Sequence, residues 1–120
     1  MRCNGVPVRC SQETDLQKAI VAHGDRMTFD RTGQPGWFDR LAQLPFIRGY
    51  TDGFGHALVL RGGVDVMVDL HLNPWDAGPS LAMMQEAGGR MELIDEGAGK
   101  LGLVFGAPAM VEAVLALRAD

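Results

Sequence analysis

The fold is decided by residues 49–89, which read GYTDGFGHALVLRGGVDVMVDLHLNPWDAGPSLAMMQEAGG. Within residues 64–71, aliphatic side chains alternate with aspartate, methionine and histidine. This period of two predicts a strand with one apolar face and one carboxylate-bearing face. Asn73-Pro74 predicts the start of a helix, because Asn is a good N-cap and Pro is tolerated at the first helical position. Gly88-Gly89 predicts its end. The stretch is therefore typical of a helix, a strand and a second helix in succession.

The rest of the chain continues this alternation. Asn4-Gly5 predicts a hairpin over residues 1–10, since Asn-Gly is the strongest short turn signal. Residues 25–36 are rich in turn formers and predict a loop. Further strands are predicted at 19–22, 46–50, 90–95 and 101–105, and further helices at 37–44, 52–60 and 108–117. The pattern predicts one α/β domain over residues 1–120, with a mixed, mostly parallel sheet of about five strands flanked by helices and a short N-terminal hairpin.

Composition narrows the class of protein. The 120 residues are 47% hydrophobic and 22% charged, which is ordinary for a globular domain. The net charge of −4 gives no reason to expect nucleic acid or an anionic membrane as a partner. No apolar run approaches the ~20 residues of a membrane span, and the N-terminus has no signal-peptide apolar region. We therefore expect a cytoplasmic protein in which Cys3 and Cys10 are free thiols.

Acidic and histidine side chains gather around the central strand. Asp69 and Asp76 lie on either side of a strand-to-helix turn, a usual place for the site of an α/β protein. Asp52 and His56 are four residues apart and so share a helix face, while Asp69 and His71 share a strand face. Together these residues could form a small metal site of the Zn²⁺ type or an acid/base pair. A solvated strand face, and a helix dipole stabilising Asp76, remain the alternatives.

Three motifs carry a resemblance to a known family. The first is Trp75-Asp76-Ala77-Gly78, the second is Thr51-Asp52-Gly53-Phe54-Gly55, and the third is Asn4-Gly5-x-Pro7-x-x-x-Ser11 followed by Asp15-Leu16. The first is similar to the Trp-Asp-x-Ala-Gly signature of the inositol monophosphatase superfamily, with the intervening residue dropped or shifted. The second resembles a Gly-Asp-x-Tyr/Phe-Gly segment of its histidinol-phosphate phosphatase branch, and the third looks like the family's mid-chain segment. The resemblance covers nearly the whole chain but only the second half of a family member.

The resemblance implies hydrolysis of small phosphate esters with clustered Mg²⁺ ions, which activate water and neutralise the phosphate. It implies that Asp76 is a metal ligand, that Asp69 contacts the substrate and that Asp52 lies near the substrate's amino or hydroxyl groups. The family's Glu-Glu and Asp-Pro-x-Asp-Gly-Thr motifs, which supply most of its metal ligands, do not occur here. One carboxylate cannot hold such a cluster, because Mg²⁺ needs several oxygen ligands. His56 and His71 are not part of the family pattern.

These considerations lead us to expect a truncated phosphatase-family hydrolase. The expected catalytic residues are Asp76, Asp69 and His71, and the expected substrate-binding residues are Asp52, Asp69 and His56. Mg²⁺ is the expected cofactor, with Zn²⁺ or no metal as alternatives. We expect a homodimer or larger oligomer that restores a multi-carboxylate site, with residues 1–10 reaching across. Two other functions stay open: a non-catalytic remnant or subunit that needs a separate N-terminal half, and a metal-independent ester hydrolase at a new interface.

Overall fold

A computed structural model describes residues 1–50 and 52–118, so Thr51 of the 51–55 motif lies outside the described residues. The strands are β1 Arg2–Cys3, β2 Val6–Pro7, β3 Val21–His23, β4 Ile47–Arg48, β5 Val66–Leu72, β6 Arg90–Gly97 and β7 Lys100–Gly106. The helices are α1 Met27–Arg31, α2 Pro35–Leu41, α3 Asp52–Leu60, α4 Pro74–Glu86 and α5 Pro108–Ala116. None of the described helices is long and apolar enough to cross a membrane.

The five-stranded sheet has the order β4-β3-β5-β7-β6. Strand β3 pairs in parallel with both β4 and β5. Strand β7 is antiparallel to β5 and to β6, so β6 points in the same direction as β5. Only β7 therefore runs against the other strands of this sheet, and the predicted mixed, mostly parallel sheet is confirmed.

The N-terminal hairpin is formed by β1 and β2, which pair Arg2 with Pro7 and Cys3 with Val6. Asn4 and Gly5 occupy the turn with φ values of 51° and 81°. Positive φ at both central residues is the geometry that a two-residue hairpin turn requires and that Asn-Gly adopts readily. The hairpin predicted from these two residues is confirmed.

The predicted loop over residues 25–36 was wrong, because helix α1 lies within it. An Asp25 carboxylate oxygen accepts the backbone N–H of Met27 at 3.0 Å, which starts the helical turn. Phe29, in the middle of α1, is fully buried. Packing of one aromatic side chain therefore stabilises a helix that the local composition disfavours.

The carboxylate-bearing face predicted for β5 is buried rather than solvated, because residues 66–70 are all buried. Val66, Val68 and Leu70 belong to a core with residues of α1, α2 and α5. Met67 belongs to a second core with residues of α3 and α4. Helices cover both faces of this central strand, so Asp69 is enclosed, whereas His71 near the end of the strand is exposed.

Candidate active site

The predicted site residues come together where α3, β5 and α4 meet. Asp52 begins α3, His56 lies one turn later, Asp69 lies on β5 and Asp76 lies in the first turn of α4. All four side chains line one cavity of about 520 Å³, which we call the acid cavity. The predicted cluster contained these four residues and His71, and the structure brings the four together in this cavity without His71.

The walls of the acid cavity are largely apolar. They are formed by the hairpin, by α3 and by α4, through Met1, Cys3, Val8, Ala57, Leu60, Leu72, Pro79 and Met83. Two cations, Arg2 and Arg61, also line it. The cavity thus combines carboxylates, guanidinium groups and an apolar surface, a mixture suited to a small organic molecule that carries charged groups.

Three buried polar residues form a hydrogen-bonded series beside the acid cavity. The Nε2 atom of His56 lies 2.7 Å from Oδ2 of Asp69, and its Nδ1 atom lies 2.6 Å from Oγ of Ser80. Exposed fractions are 7% for His56, 6% for Asp69 and 4% for Ser80. Sequence analysis missed Ser80, although it follows Asp76 by four residues and therefore lies on the same face of α4.

This series has the connectivity of a nucleophile, a base and an orienting acid, but it lacks the rest of such a site. Ser80 lies in the interior of α4, where neighbouring backbone N–H groups are used by the helix. No pair of N–H groups is thus available beside Ser80 to stabilise an oxyanion. The arrangement is therefore suited to orienting Asp69 rather than to activating Ser80.

Asp69 is held closely on its other side. Its Oδ1 atom packs against Gly24, at a place where a Cβ on residue 24 would collide with it. The N–H of Gly24 is bonded to the carbonyl of Val68 at 2.9 Å, which fixes the backbone there. Asp69 also lines a second cavity of about 470 Å³ together with Asp25, Thr28 and Asp52. The carboxylate consequently separates two spaces that small molecules could enter.

Asp76 is exposed and has a structural role in addition to any chemical one. Its Oδ2 atom accepts the backbone N–H of Asn73 at 3.1 Å, as part of a capping box at the start of α4. The Asn73 side chain also accepts a hydrogen bond from Lys100 Nζ at 2.7 Å. One carboxylate oxygen of Asp76 is therefore engaged by the cap, and the other is available to the cavity.

His71 does not line the acid cavity, but it lines the second cavity together with Asp52 and Asp69. The pairing of β5 with β7 shifts between Asp69 and Leu72, and His71 has a φ of 62°. Its backbone N–H donates to Glu96, and its Nδ1 atom lies 3.8 Å from the same carboxylate. This irregularity disrupts the period of two on which a shared face with Asp69 depended.

The implied metal fits these residues only in part. Among residues 1–50 and 52–118, no group of three or more His, Cys, Asp or Glu side chains is placed to hold a metal ion. Mg²⁺ takes several oxygen ligands in near-octahedral geometry. Asp76 could supply one ligand, but the described residues do not complete a Mg²⁺ site or a Zn²⁺ site.

Comparison with known proteins shows which class of protein shares this fold. No family model matches the chain. The fold matches an inositol monophosphatase from Anabaena (Nostoc) sp. PCC 7120 with a TM-score of 0.77 and 20% identity, covering 95% of this chain and 48% of that one. It matches an inositol monophosphatase from Zymomonas mobilis with a TM-score of 0.81 and 17% identity, covering 96% and 47%. The chain therefore has the fold of about half of an inositol monophosphatase.

The similarity in sequence indicates a narrower group of proteins than the fold does. The chain is 42% identical over 89 residues to a histidinol-phosphatase from Chlorobaculum parvum, covering 72% of this chain and 34% of that protein. The resemblance to the inositol monophosphatase superfamily, closest to its histidinol-phosphate phosphatase branch, is confirmed. The chain spans about a third of the length of this curated relative and about half of each solved structure.

Proposed function

We propose that this chain forms the substrate-binding side of a phosphate-ester hydrolase. The observation that carries the proposal is that three carboxylates from separate elements, Asp52, Asp69 and Asp76, line one cavity. The similarity to a protein named histidinol-phosphatase supports a phosphate monoester of an amino alcohol as the substrate. An ammonium or hydroxyl group on the alcohol would find acceptors in Asp52 and Asp69.

Different residues of the chain are proposed to bind different parts of the substrate. The guanidinium groups of Arg2 and Arg61 line the same cavity and suit a phosphate dianion, with which Arg forms charge-assisted hydrogen bonds. The apolar wall accommodates the carbon skeleton of the leaving group and excludes water from it. Asp76 is proposed as one ligand of a divalent cation, with Mg²⁺ favoured by resemblance. Because one chain does not complete that site, no step of the reaction is assigned to a metal here.

We propose that a second copy of the chain completes the site. Trp75 and Phe54, which lie close in sequence to Asp76 and Asp52, are 73% and 66% exposed. Exposed aromatic side chains next to a functional site are typical of surfaces that a partner covers. Sedimentation velocity at micromolar concentration tests this, because a dimer is expected and a monomer would contradict it. Trp75→Ala should weaken the dimer, whereas Leu93→Ala, which changes an exposed side chain on β6, should not.

The activity is tested by hydrolysis of aryl phosphate mono-, di- and triesters, with and without a strong chelator. We expect the monoester to be hydrolysed in the presence of Mg²⁺ and the chelator to abolish its hydrolysis. Asp76→Asn should lower the rate, and Asp39→Asn, on the exposed face of α2, serves as the matched control. The proposal is overturned if the wild type releases no phosphate with Mg²⁺, Mn²⁺ or Zn²⁺. Activity that survives both the chelator and Asp76→Asn would place hydrolysis at another site.

A further inference from the structure

We infer that His56 is a positioning residue that fixes the orientation of the Asp69 carboxylate toward the substrate. The inference rests on the proposed function, since it gives Asp69 its role as a substrate-binding acid. It starts from two hydrogen bonds of His56, at 2.7 Å to Asp69 and at 2.6 Å to Ser80. Neither His56 nor Ser80 belongs to the motifs on which the family resemblance depends.

The two hydrogen bonds have a definite direction in the neutral ring. An ionised carboxylate can only accept, so Nε2 of His56 carries the proton that is donated to Asp69. Nδ1 is then the acceptor, and the Ser80 hydroxyl donates to it. The Asp69 carboxylate therefore selects the tautomer, because it can only accept, while Ser80 restricts the rotation of the imidazole and so holds its Nε2–H toward Asp69.

The carboxylate is also restricted from the opposite side. Oδ1 packs against Gly24, which has no Cβ and so leaves room for it. Rotation of the carboxylate would break the hydrogen bond to His56 and move an oxygen into the backbone at Gly24, directly after β3. Asp69 lies between the acid cavity and the second cavity, so its orientation decides how its oxygens are presented to a bound molecule.

Two conservative substitutions separate positioning from simple packing. His56→Gln places its amide nitrogen near the former Nε2 atom and retains a donor for Asp69. His56→Asn places its amide near the former Nδ1 atom, which retains a partner for Ser80 but leaves Asp69 without its donor. Ser80→Ala keeps the bond to Asp69 and removes the constraint on the ring. All variants are first compared by thermal unfolding, so that loss of folding is recognised.

The first measurement does not depend on activity. Long-range ¹H–¹⁵N spectra of the full chain report the tautomer of each histidine, and His56→Gln assigns the His56 signals against those of His23 and His71. We expect a single Nε2–H tautomer for His56 in the wild type and in Ser80→Ala, and a mixture of tautomers in Asp69→Asn, whose amide can either accept or donate. An Nδ1–H tautomer, or fast exchange in the wild type, overturns the inference.

The second measurement compares histidinol phosphate with 4-nitrophenyl phosphate, whose leaving group offers nothing for Asp69 to bind. His56→Asn should raise KM for histidinol phosphate by about tenfold, the effect of losing one hydrogen bond to a charged group. KM for 4-nitrophenyl phosphate should stay within about twofold, and His56→Gln should resemble the wild type. Equal losses on both substrates, or abolition of both activities by Ser80→Ala, overturn the positioning role. If the wild type hydrolyses neither ester, the proposed function and the positioning role are both wrong. The tautomer measurement tests the hydrogen bonds of His56 independently of that result.

Discussion

His56 on α3 lies 2.7 Å, Nε2 to Oδ2, from Asp69 on β5, and both side chains are more than nine-tenths buried. This pair connects the helix that carries Asp52 to the strand at the centre of the sheet. Removing one of the two side chains would leave the other buried without a hydrogen-bond partner. This would lower the free energy of unfolding whatever the function of the pair. The same contact thus contributes to both the stability and the proposed chemistry of the site.

His56→Ala should lower the free energy of unfolding by about 2–4 kcal/mol, because it leaves a buried carboxylate unpaired. Urea unfolding followed by circular dichroism measures this loss. In a double-mutant cycle, combining His56→Ala with Asp69→Asn should cost less than the sum of the two single changes. Strict additivity would show that the hydrogen bond contributes nothing to stability.

Gly24→Ala should destabilise the protein by about 1–3 kcal/mol, since the added Cβ collides with the Asp69 carboxylate. Gly53→Ala is the matched control. Nothing lies within 4 Å of a Cβ at residue 53, which is in the first turn of α3. Alanine there should stabilise the helix by about 0.5–1 kcal/mol. Equal unfolding midpoints for the two variants would contradict the close packing of Asp69 against β3.

Asp65→Ala should destabilise the protein by about 1–3 kcal/mol. The polar positions of the alternating stretch 64–71 predict that Asp65 is a surface charge, but Asp65 is half-buried. Its Oδ1 atom accepts the hydroxyl of Ser11, and its Oδ2 atom accepts the N–H of Ile20 at 2.6 Å. Asp95→Ala serves as the control because Asp95 is exposed and accepts only the N–H of Gly97 in the described structure. Thermal melts should separate the two variants clearly, and coincident melts would mean that Asp65 does not anchor the N-terminal segment.

Cys3 should react with a thiol reagent faster than Cys10 at neutral pH. Both thiols are free, but Cys10 is buried, and this burial raises the pKa of its thiol. The thiolate is the reactive form of cysteine, so a raised pKa lowers the fraction of Cys10 that is thiolate at neutral pH. Mass spectrometry after short labelling, with Cys3→Ser as the control, measures the order. Faster labelling of Cys10 would show that the core around it opens readily.

Local signals account for most of the elements. The period of two in β5, the Asn-Gly turn and the Asn-Pro start of α4 each depend on near neighbours in sequence. For α1, the local composition disfavours a helix that the burial of Phe29 stabilises. Such tertiary packing cannot be inferred from neighbouring residues alone.

Part of the candidate site could be predicted from the sequence. Asp52, His56, Asp69 and Asp76 were identified by spacing and resemblance, and they share one cavity. The bond between His56 and Ser80 joins two helices across 24 positions of sequence, and no local pattern predicts it. The displacement of His71 depends on an irregular pairing of β5 with β7, which alternation does not reveal.

The central claim is that the carboxylates of the acid cavity act together in phosphate-ester hydrolysis. Its most direct test is kcat/KM for 4-nitrophenyl phosphate in Mg²⁺, measured for the wild type, Asp76→Asn and Asp39→Asn. Asn retains an oxygen for the capping box of α4, so folding is largely preserved in Asp76→Asn. We predict a loss of about a hundredfold or more for Asp76→Asn and less than about twofold for Asp39→Asn. Equal kcat/KM values for the wild type and Asp76→Asn would contradict the account.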